Sequence, residues 1–354
     1  MTTTVYLHVG PYKTGTTYVQ GLLTSNQDNL AAQGVLYVGG TFRNQGRAVR
    51  EVLQRGDNPA TGASVHGAWP KLLGQVADWH GRAAVISHEL IATATRSQLK
   101  SMLRGLKACE VHVIYTARDL SRVAPAMWQT AVRSKRAFTW DHYADSLRAP
   151  DGDFGPWGDR FWNCQDAPQV LARWRKSLPV EQLHVVTVPR PGGPPELLWE
   201  RFCQVIGVDP AGHDLQPPRS NPTMGTAESE LLRRINEGLS ATDIDPTRWL
   251  FWIRWLARRL ETRSGMLKFT LPDRDLGWLS ERAAAVIEGL RAGGYPLVGD
   301  LDELVPHPVD PASARHPSDA PDAAVLDAAV EAMQVMMLEL AQRKNASAAR
   351  DDDD

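Results

Sequence analysis

The sequence predicts an α/β protein with a central, mostly parallel sheet and a helical C-terminal part. Three observations carry this. Short runs rich in β-branched and aromatic residues alternate with longer segments of helical period through about residue 190. From about 225 to 300 the pattern is mostly helical. The polar, glycine-bearing motifs fall just after the apolar runs, where a parallel sheet presents its ligands.

Taken in order, "TVYLHVG" (4–10) is the first strand, and "TTYVQGLLTSNQDNLAAQG" (16–34) is a helix closed near Gly34. "VLYVGG" (35–40) is a second short strand. Trp69, Leu72, Leu73, Val76 and Trp79 recur at helical spacing, and "AAVISHEL" (83–90) is a buried strand entering a polar turn. A helix over 95–107 leads to "EVHVIYTARD" (110–119), an apolar strand ending in charge, and to a helix over 120–134. "QVLARWRKSL" (169–178) is helical and "LHVVTVPR" (183–190) is a further strand. Residues 227–239 and 278–295 are the clearest later helices. "WLFWIRWLARRL" (249–260) is interrupted by arginines and too short to span a membrane. It reads as an amphipathic helix with Trp and Leu toward the core, the alternative being a helix lying on a membrane surface.

Residues 1–306 are expected to form one domain, with a core over about 1–220 and a helical part over about 225–306. A Pro/Asp-rich linker (307–322), a terminal helix with a Met/Leu stripe (323–346) and an acidic tail (347–354) follow. The stripe docks either on the body or on a partner chain, which makes a homo-oligomer one expectation.

A formal net charge of -2 on 354 residues gives no global basic field, which argues against nucleic acid as partner. Cys109, Cys164 and Cys203 lie far apart, form no CxxC pair and show no metal-ligand spacing. Sparse cysteines and an N-terminus without a signal-peptide pattern predict a cytoplasmic setting and no membrane span.

The most informative stretch is "HVGPYKTGTTYVQ" (8–20). A loop between a strand end and a helix start points backbone N–H groups and the positive helix end at an anion. Gly10 and Gly15 let the backbone approach, Thr16 and Thr17 offer hydroxyls, and Lys13 offers a mobile charge. The nucleoside-triphosphate loop G-x-x-x-x-G-K-[ST] puts its lysine after the second glycine. Here the lysine stands two residues before it. The bland alternative is a Gly/Thr-rich turn with an exposed lysine.

This stretch resembles the 5′-phosphosulfate-binding loop of the sulfotransferase family, P-K-x-G-T-T/S, most closely in the bacterial branch that reads "HVGxxKTGTTYxQ". The resemblance implies a P-loop-like three-layer fold. It implies an enzyme that moves a sulfuryl group from 3′-phosphoadenosine 5′-phosphosulfate (PAPS) to a hydroxyl or amine of a small-molecule, carbohydrate or lipid acceptor, without a metal. Lys13 would contact the phosphosulfate bridge and Gly15, Thr16 and Thr17 would cradle the 5′-phosphate. Gly10, Pro11, Tyr12 and Thr14 complete the expected donor loop. Tyr12 stands where the family usually has proline, and Pro11 comes one residue earlier.

In "VHVIYTARDLSRVAPAMWQ" (111–129) a buried strand delivers Arg118 to its carboxyl end, where a guanidinium binds phosphate in bidentate fashion. The alternative is an Arg118–Asp119 surface ion pair. The segment is similar to the family's 3′-phosphate motif, R-[DN]-x(6)-S. Arg118 matches its arginine, and the serine position falls on Ala126. That departure predicts weaker donor binding, a hydroxyl supplied by Ser121 or from elsewhere, or a donor other than PAPS. Segments 161–174, 185–209, 219–236 and 292–306 also resemble the same branch.

Sulfuryl transfer needs a base for the acceptor proton. "ISHEL" (86–90) offers Glu89 as first choice and His88 as the other. Alternation would put them on opposite faces if both stayed in the strand. The alternative for Glu89 is a helix start or an ion pair. His8 reads as a packed, hydrogen-bonded residue. Arg219 and Asn221 follow "QPP" in a loop that closes over the nucleotide or is simply polar. Trp128 and Gln129 line the cleft or belong to the core. Acceptor loops are expected over 40–68 and 135–165. There Trp140, Tyr143, Phe154, Trp157, Phe161 and Trp162 hint at an apolar or ring-bearing acceptor. Two rival functions are a nucleotide-dependent kinase, which lacks its GK[ST] loop here, and a non-catalytic binding or assembly protein that keeps the fold.

Overall fold

In the computed structural model, the described residues are 2–57, 62–149, 153–216, 224–269, 271, 273–307 and 316–351. The strands are β1 (Thr4–His8), β2 (Val35–Tyr37), β3 (Ala83–Ser87), β4 (Glu110–Ala117), β5 (Leu183–Thr187) and β6 (Leu297–Val298). They form a six-stranded sheet in the order β2-β3-β1-β4-β5-β6 in which every pair of neighbours is parallel. The connection after β1 leads to one side of the sheet and that after β4 to the other. The carboxyl ends of β1 and β4 therefore flank the crevice where ligands bind in such sheets.

The helices up to β4 are α1 (Thr16–Ser25), α2 (Gln27–Ala32), α3 (Phe42–Val52), α4 (Ala68–Ala77) and α5 (Arg96–Gly105). Between β4 and β5 lie α6 (Leu120–Val132), α7 (Trp140–Arg148), α8 (Gly155–Gln165) and α9 (Ala167–Trp174). Then come α10 (Leu197–Ile206), α11 (Thr226–Ser240), α12 (Pro246–Leu260), α13 (Asp273–Gly293) and α14 (Asp322–Asp351).

The fold is α/β in three layers. Alternation sends Val5 and Leu7 of β1 into one core with Val49, Trp69, Met102 and Trp174 of the helices on that face. The opposite core joins Val85 and Ile114 to Val19, Leu22 and Leu23 of α1 and Trp199 and Phe202 of α10. All five residues of β3 are buried, as expected for an inner strand covered on both faces.

The chain divides into two compact units. The first comprises 1–123, 146–221 and 277–307, and holds the whole sheet. The second comprises 124–145, 222–276 and 308–354. Within the second, buried Gln129 donates to the Met224 carbonyl at 2.9 Å and to Ser229 Oγ at 3.0 Å. Trp140 Nε1 donates to Asp275 at 2.8 Å.

Three local readings change. The helix expected over 16–34 breaks at Asn26, whose side chain donates to the carbonyls of Leu22 and Asp214. The segment expected as a loop over 40–68 contains α3, which puts Ala48, Val49 and Val52 into the core. The one expected over 135–165 contains α7 and α8. Among the described residues, no helix is long and apolar enough to cross a membrane, and no group of three or more His, Cys, Asp or Glu is placed to hold a metal.

Candidate anion site at the carboxyl ends of β1, β3 and β4

Register builds the site. His8 pairs with Ile114, so β4 runs on to Ala117 beside the loop that leaves β1. Val9 N still bonds the Ile114 carbonyl at 2.9 Å. A Cβ at Gly10 would clash with Thr116 Oγ1 and His8 Nε2, so the loop approaches β4 more closely than any other residue allows. Lys13 has φ 70° and Gly15 φ 82°. A left-handed lysine costs about 1–3 kcal/mol, the kind of strain that accumulates at ligand clamps.

Hydrogen bonds from within the loop, from α8 and from the end of β4 hold it. Thr14 Oγ1 donates to the Pro11 carbonyl at 2.7 Å, Gln165 Nε2 to the Tyr12 carbonyl at 2.8 Å, and Arg118 Nη1 to the Lys13 carbonyl at 2.7 Å. Helix α1 begins without a side-chain cap at Gly15 and without an acid in its first turn. Its N-terminal N–H groups and positive dipole end are therefore not offset locally. Among the described residues, the hydroxyls of Thr16 and Thr17 at this end have no hydrogen-bond partner.

A buried polar chain lies underneath. Thr14 spends its one hydroxyl hydrogen on Pro11, so its 2.7 Å contact with Thr116 Oγ1 is donated by Thr116. Thr116 in turn accepts from His8 Nε2 at 3.4 Å, which leaves His8 Nδ1 to accept from Ser87 Oγ at 2.7 Å. Donor counting thus assigns His8 as the neutral Nε2–H tautomer. Burial agrees, pushing its pKa down to about 3.

Arg118 is half-buried, and its Nε is buried without a partner. Burial, with repulsion from Arg122 and against the pull of Asp119, lowers its pKa to about 10. Asp119 does not pair with it. That carboxylate accepts from Ser121 N and from Ser121 Oγ, each at 2.8 Å, at the start of α6. So the Arg118–Asp119 ion pair does not form, and an orphaned guanidinium donor remains at the edge of the loop. Ser121 spends its hydroxyl hydrogen on Asp119 and has none to offer an anion. Ala126 lies in the second unit, where its carbonyl accepts from Thr130 Oγ1 at 2.9 Å.

Strand β3 ends at Ser87, so alternation no longer applies to the two base candidates. His88 caps a short 3-10 turn over Glu89–Thr93, its Nδ1 accepting from Leu90 N at 3.1 Å. Its ring stacks on Phe42 with centroids 4.9 Å apart, and burial pushes its pKa down. Glu89 starts the helical turn, yet its Oε2 also accepts from Gln20 Nε2 of α1 at 3.3 Å. Glu89 is thus tied to the helix that begins at the anion loop. Its charge adds to burial in raising the pKa of the Tyr12 phenol.

The structure therefore brings Gly10–Thr17, Arg118, His88 and Glu89 to one edge of the sheet. Arg219 and Asn221 lie outside the described residues. Of the aromatic residues, Trp140, Tyr143, Phe161 and Trp162 are buried and pin their own helices. Trp128 is buried, with Nε1 donating to the Phe138 carbonyl, and with Gln129 it belongs to the second unit's core. Half-buried Phe154 and the edge of Trp162 do meet a hollow of 360 Å³, where Arg282 lies over both rings. Sequence reading missed Gln20, Gln45, Thr116 and Gln165. Gln45 accepts from Ser87 N at 2.5 Å and donates to the Val38 carbonyl, bracing the end of β3. The available signal was a polar residue inside an apolar pattern, plainest for Thr116 in "VHVIYTA".

No protein-family model matches the chain, and no curated protein matches it. Among solved structures it is similar to a sulfotransferase domain from the curacin biosynthetic pathway, at 14% identity and a TM-score of 0.34, covering 84% of this chain and 99% of that one. A likeness this distant leaves the site to be judged on its own geometry.

Proposed function

We propose that the chain is a sulfotransferase that moves a sulfuryl group from PAPS to a hydroxyl or amine of a small-molecule, carbohydrate or lipid acceptor. The observation that carries this reading is the loop around Lys13. A strained lysine sits between an uncapped helix N-terminus and an arginine that grips its carbonyl while keeping a free donor. Taken with the P-K-x-G-T-T-like pattern of the loop, that favours a phosphosulfate over a nucleoside triphosphate.

In this reading the N–H groups of α1 and the hydroxyls of Thr16 and Thr17 hold the 5′-phosphate. Lys13 stabilises the bridging oxygen as the sulfur–oxygen bond to the leaving phosphate breaks. Arg118 holds the 3′-phosphate. Glu89, positioned by Gln20, takes the proton as the acceptor oxygen or nitrogen bonds to sulfur. His88 is the weaker base, since its Nδ1 already accepts from Leu90 and burial disfavours its protonated form.

A second reading keeps donor binding without transfer. It is favoured by the motif's serine position, which is Ala126 and carries no hydroxyl, and by Ser121, whose hydroxyl hydrogen is already spent on Asp119. A screen of sulfur-labelled PAPS against sugars, phenols, lipids and other alcohols separates the two. Label transfer by the wild type, lost in Lys13→Ala, supports the enzyme. Transfer retained by Lys13→Ala contradicts the role given to Lys13.

A further inference from the structure

Helix α14 carries two apolar seams. Val325, Ala328 and Ala332 are buried and Val335 half-buried, and they pack the helix onto its own unit. Arg234–Asp322 and Arg263–Glu331 ion pairs, the latter at 2.7 Å, anchor the same packing. The second seam is Leu326, Val330, Met333, Met337 and Leu340, spaced four, three, four and three residues apart, the a/d pattern of a coiled coil over two heptads. At 100° per residue it lies roughly 140° around the helix from the buried seam. Its residues are 62%, 42%, 55%, 70% and 60% exposed.

We infer that this seam is a dimerisation surface whose partner is a second copy of the same chain. The period is 3.5 residues, which suits a facing helix rather than a flat surface. The seam is self-complementary: read from either end it begins with leucine and has Met333 at its centre. Two copies related by a two-fold axis through Met333 therefore match apolar to apolar. No charge interrupts it, because Glu331 is committed to Arg263, and Glu339 to Arg343 at 2.8 Å. With Met336 at its flank, the seam offers on the order of 600 Å² per copy, about the lower limit of a specific stable interface. The same face left in water would be an apolar patch larger than most monomers carry.

Sedimentation velocity of the full chain across a wide range of concentrations tests this. The wild type dimerises as concentration rises. Met333→Lys and Met337→Lys each weaken dimerisation about tenfold or more, with the melting temperature unchanged at concentrations low enough for the wild type to be monomeric, because both positions are exposed in one chain. Mild oxidation of Met333→Cys yields a covalent dimer, whereas the wild type with its native thiols does not. The inference is overturned if the wild type stays monomeric throughout or if both lysine variants dimerise as well as the wild type. It is also overturned if Met333→Cys fails to cross-link in a sample that is dimeric, or if the chain is monomeric in solution and the seam binds phospholipid vesicles instead.

Discussion

Arg118 donates from Nη1 to the carbonyl of Lys13 at 2.7 Å, so the end of β4 grips the one non-glycine residue of the anion loop that is held left-handed. The arginine does two things at once. It fixes the backbone of the loop, and it keeps a buried, partnerless Nε beside it.

Replacing Arg118 therefore has a loop effect and a ligand effect. Arg118→Met is expected to weaken binding of 3′,5′-adenosine bisphosphate by about 1.5–3 kcal/mol, the range for a lost hydrogen bond to a charged group. Arg118→Lys restores the charge without the fork and recovers only part of it. Isothermal calorimetry on both variants reads the difference.

Lys13 separates stability from activity. Lys13→Gly relieves a left-handed residue and is expected to stabilise the fold by about 1 kcal/mol. Under the proposed function the same change removes the charge that stabilises the bridging oxygen, and transfer is expected to fall about a hundredfold or more. Denaturant unfolding and the labelled-donor assay should move in opposite directions.

The His8 chain gives a pH dependence. His8 is held neutral, with a folded-state pKa of about 3 against an ordinary value near 6.5. Between those values the unfolded chain binds the proton and the folded chain does not. Stability is full above about 6.5 and falls as pH drops toward 3. His88, also pushed down by burial, acts in the same direction. Urea unfolding at neutral and mildly acid pH should show this loss, and His8→Gln should reduce the slope.

Glu89→Gln keeps the hydrogen bond site for Gln20 but cannot take a proton. Transfer should fall by about 10²- to 10⁴-fold while bisphosphate affinity stays unchanged. Loss of affinity in parallel would place Glu89 in donor binding instead.

The parts legible in the sequence were those governed by local period and by a continuous motif. Strands β1 to β5, most of the helices through 190 and the 10–17 loop follow from apolar alternation and from the glycine, threonine and lysine spacing, whereas the two-residue β6 is too short to show a period. Less legible were α3, α7 and α8, whose short polar-rich sequences resemble loops until tertiary packing buries one face. The polar chain from Ser87 through His8 and Thr116 to Thr14 was hidden for another reason. His8 and Thr14 share one segment, but each contact in the chain joins residues 79 or more positions apart that only the register of β1 with β3 and β4 brings together. Thr14 and Thr116, 102 positions apart, meet at 2.7 Å. The fate of Asp119 was hidden too, because its choice of Ser121 over Arg118 depends on the start of α6.

The most direct test is calorimetry of the wild-type chain with 3′,5′-adenosine bisphosphate, ATP and ADP in turn. Under the proposed function the bisphosphate binds, Lys13→Ala and Arg118→Met weaken it, and ATP binds less tightly. Tight binding of ATP with none of the bisphosphate would contradict it.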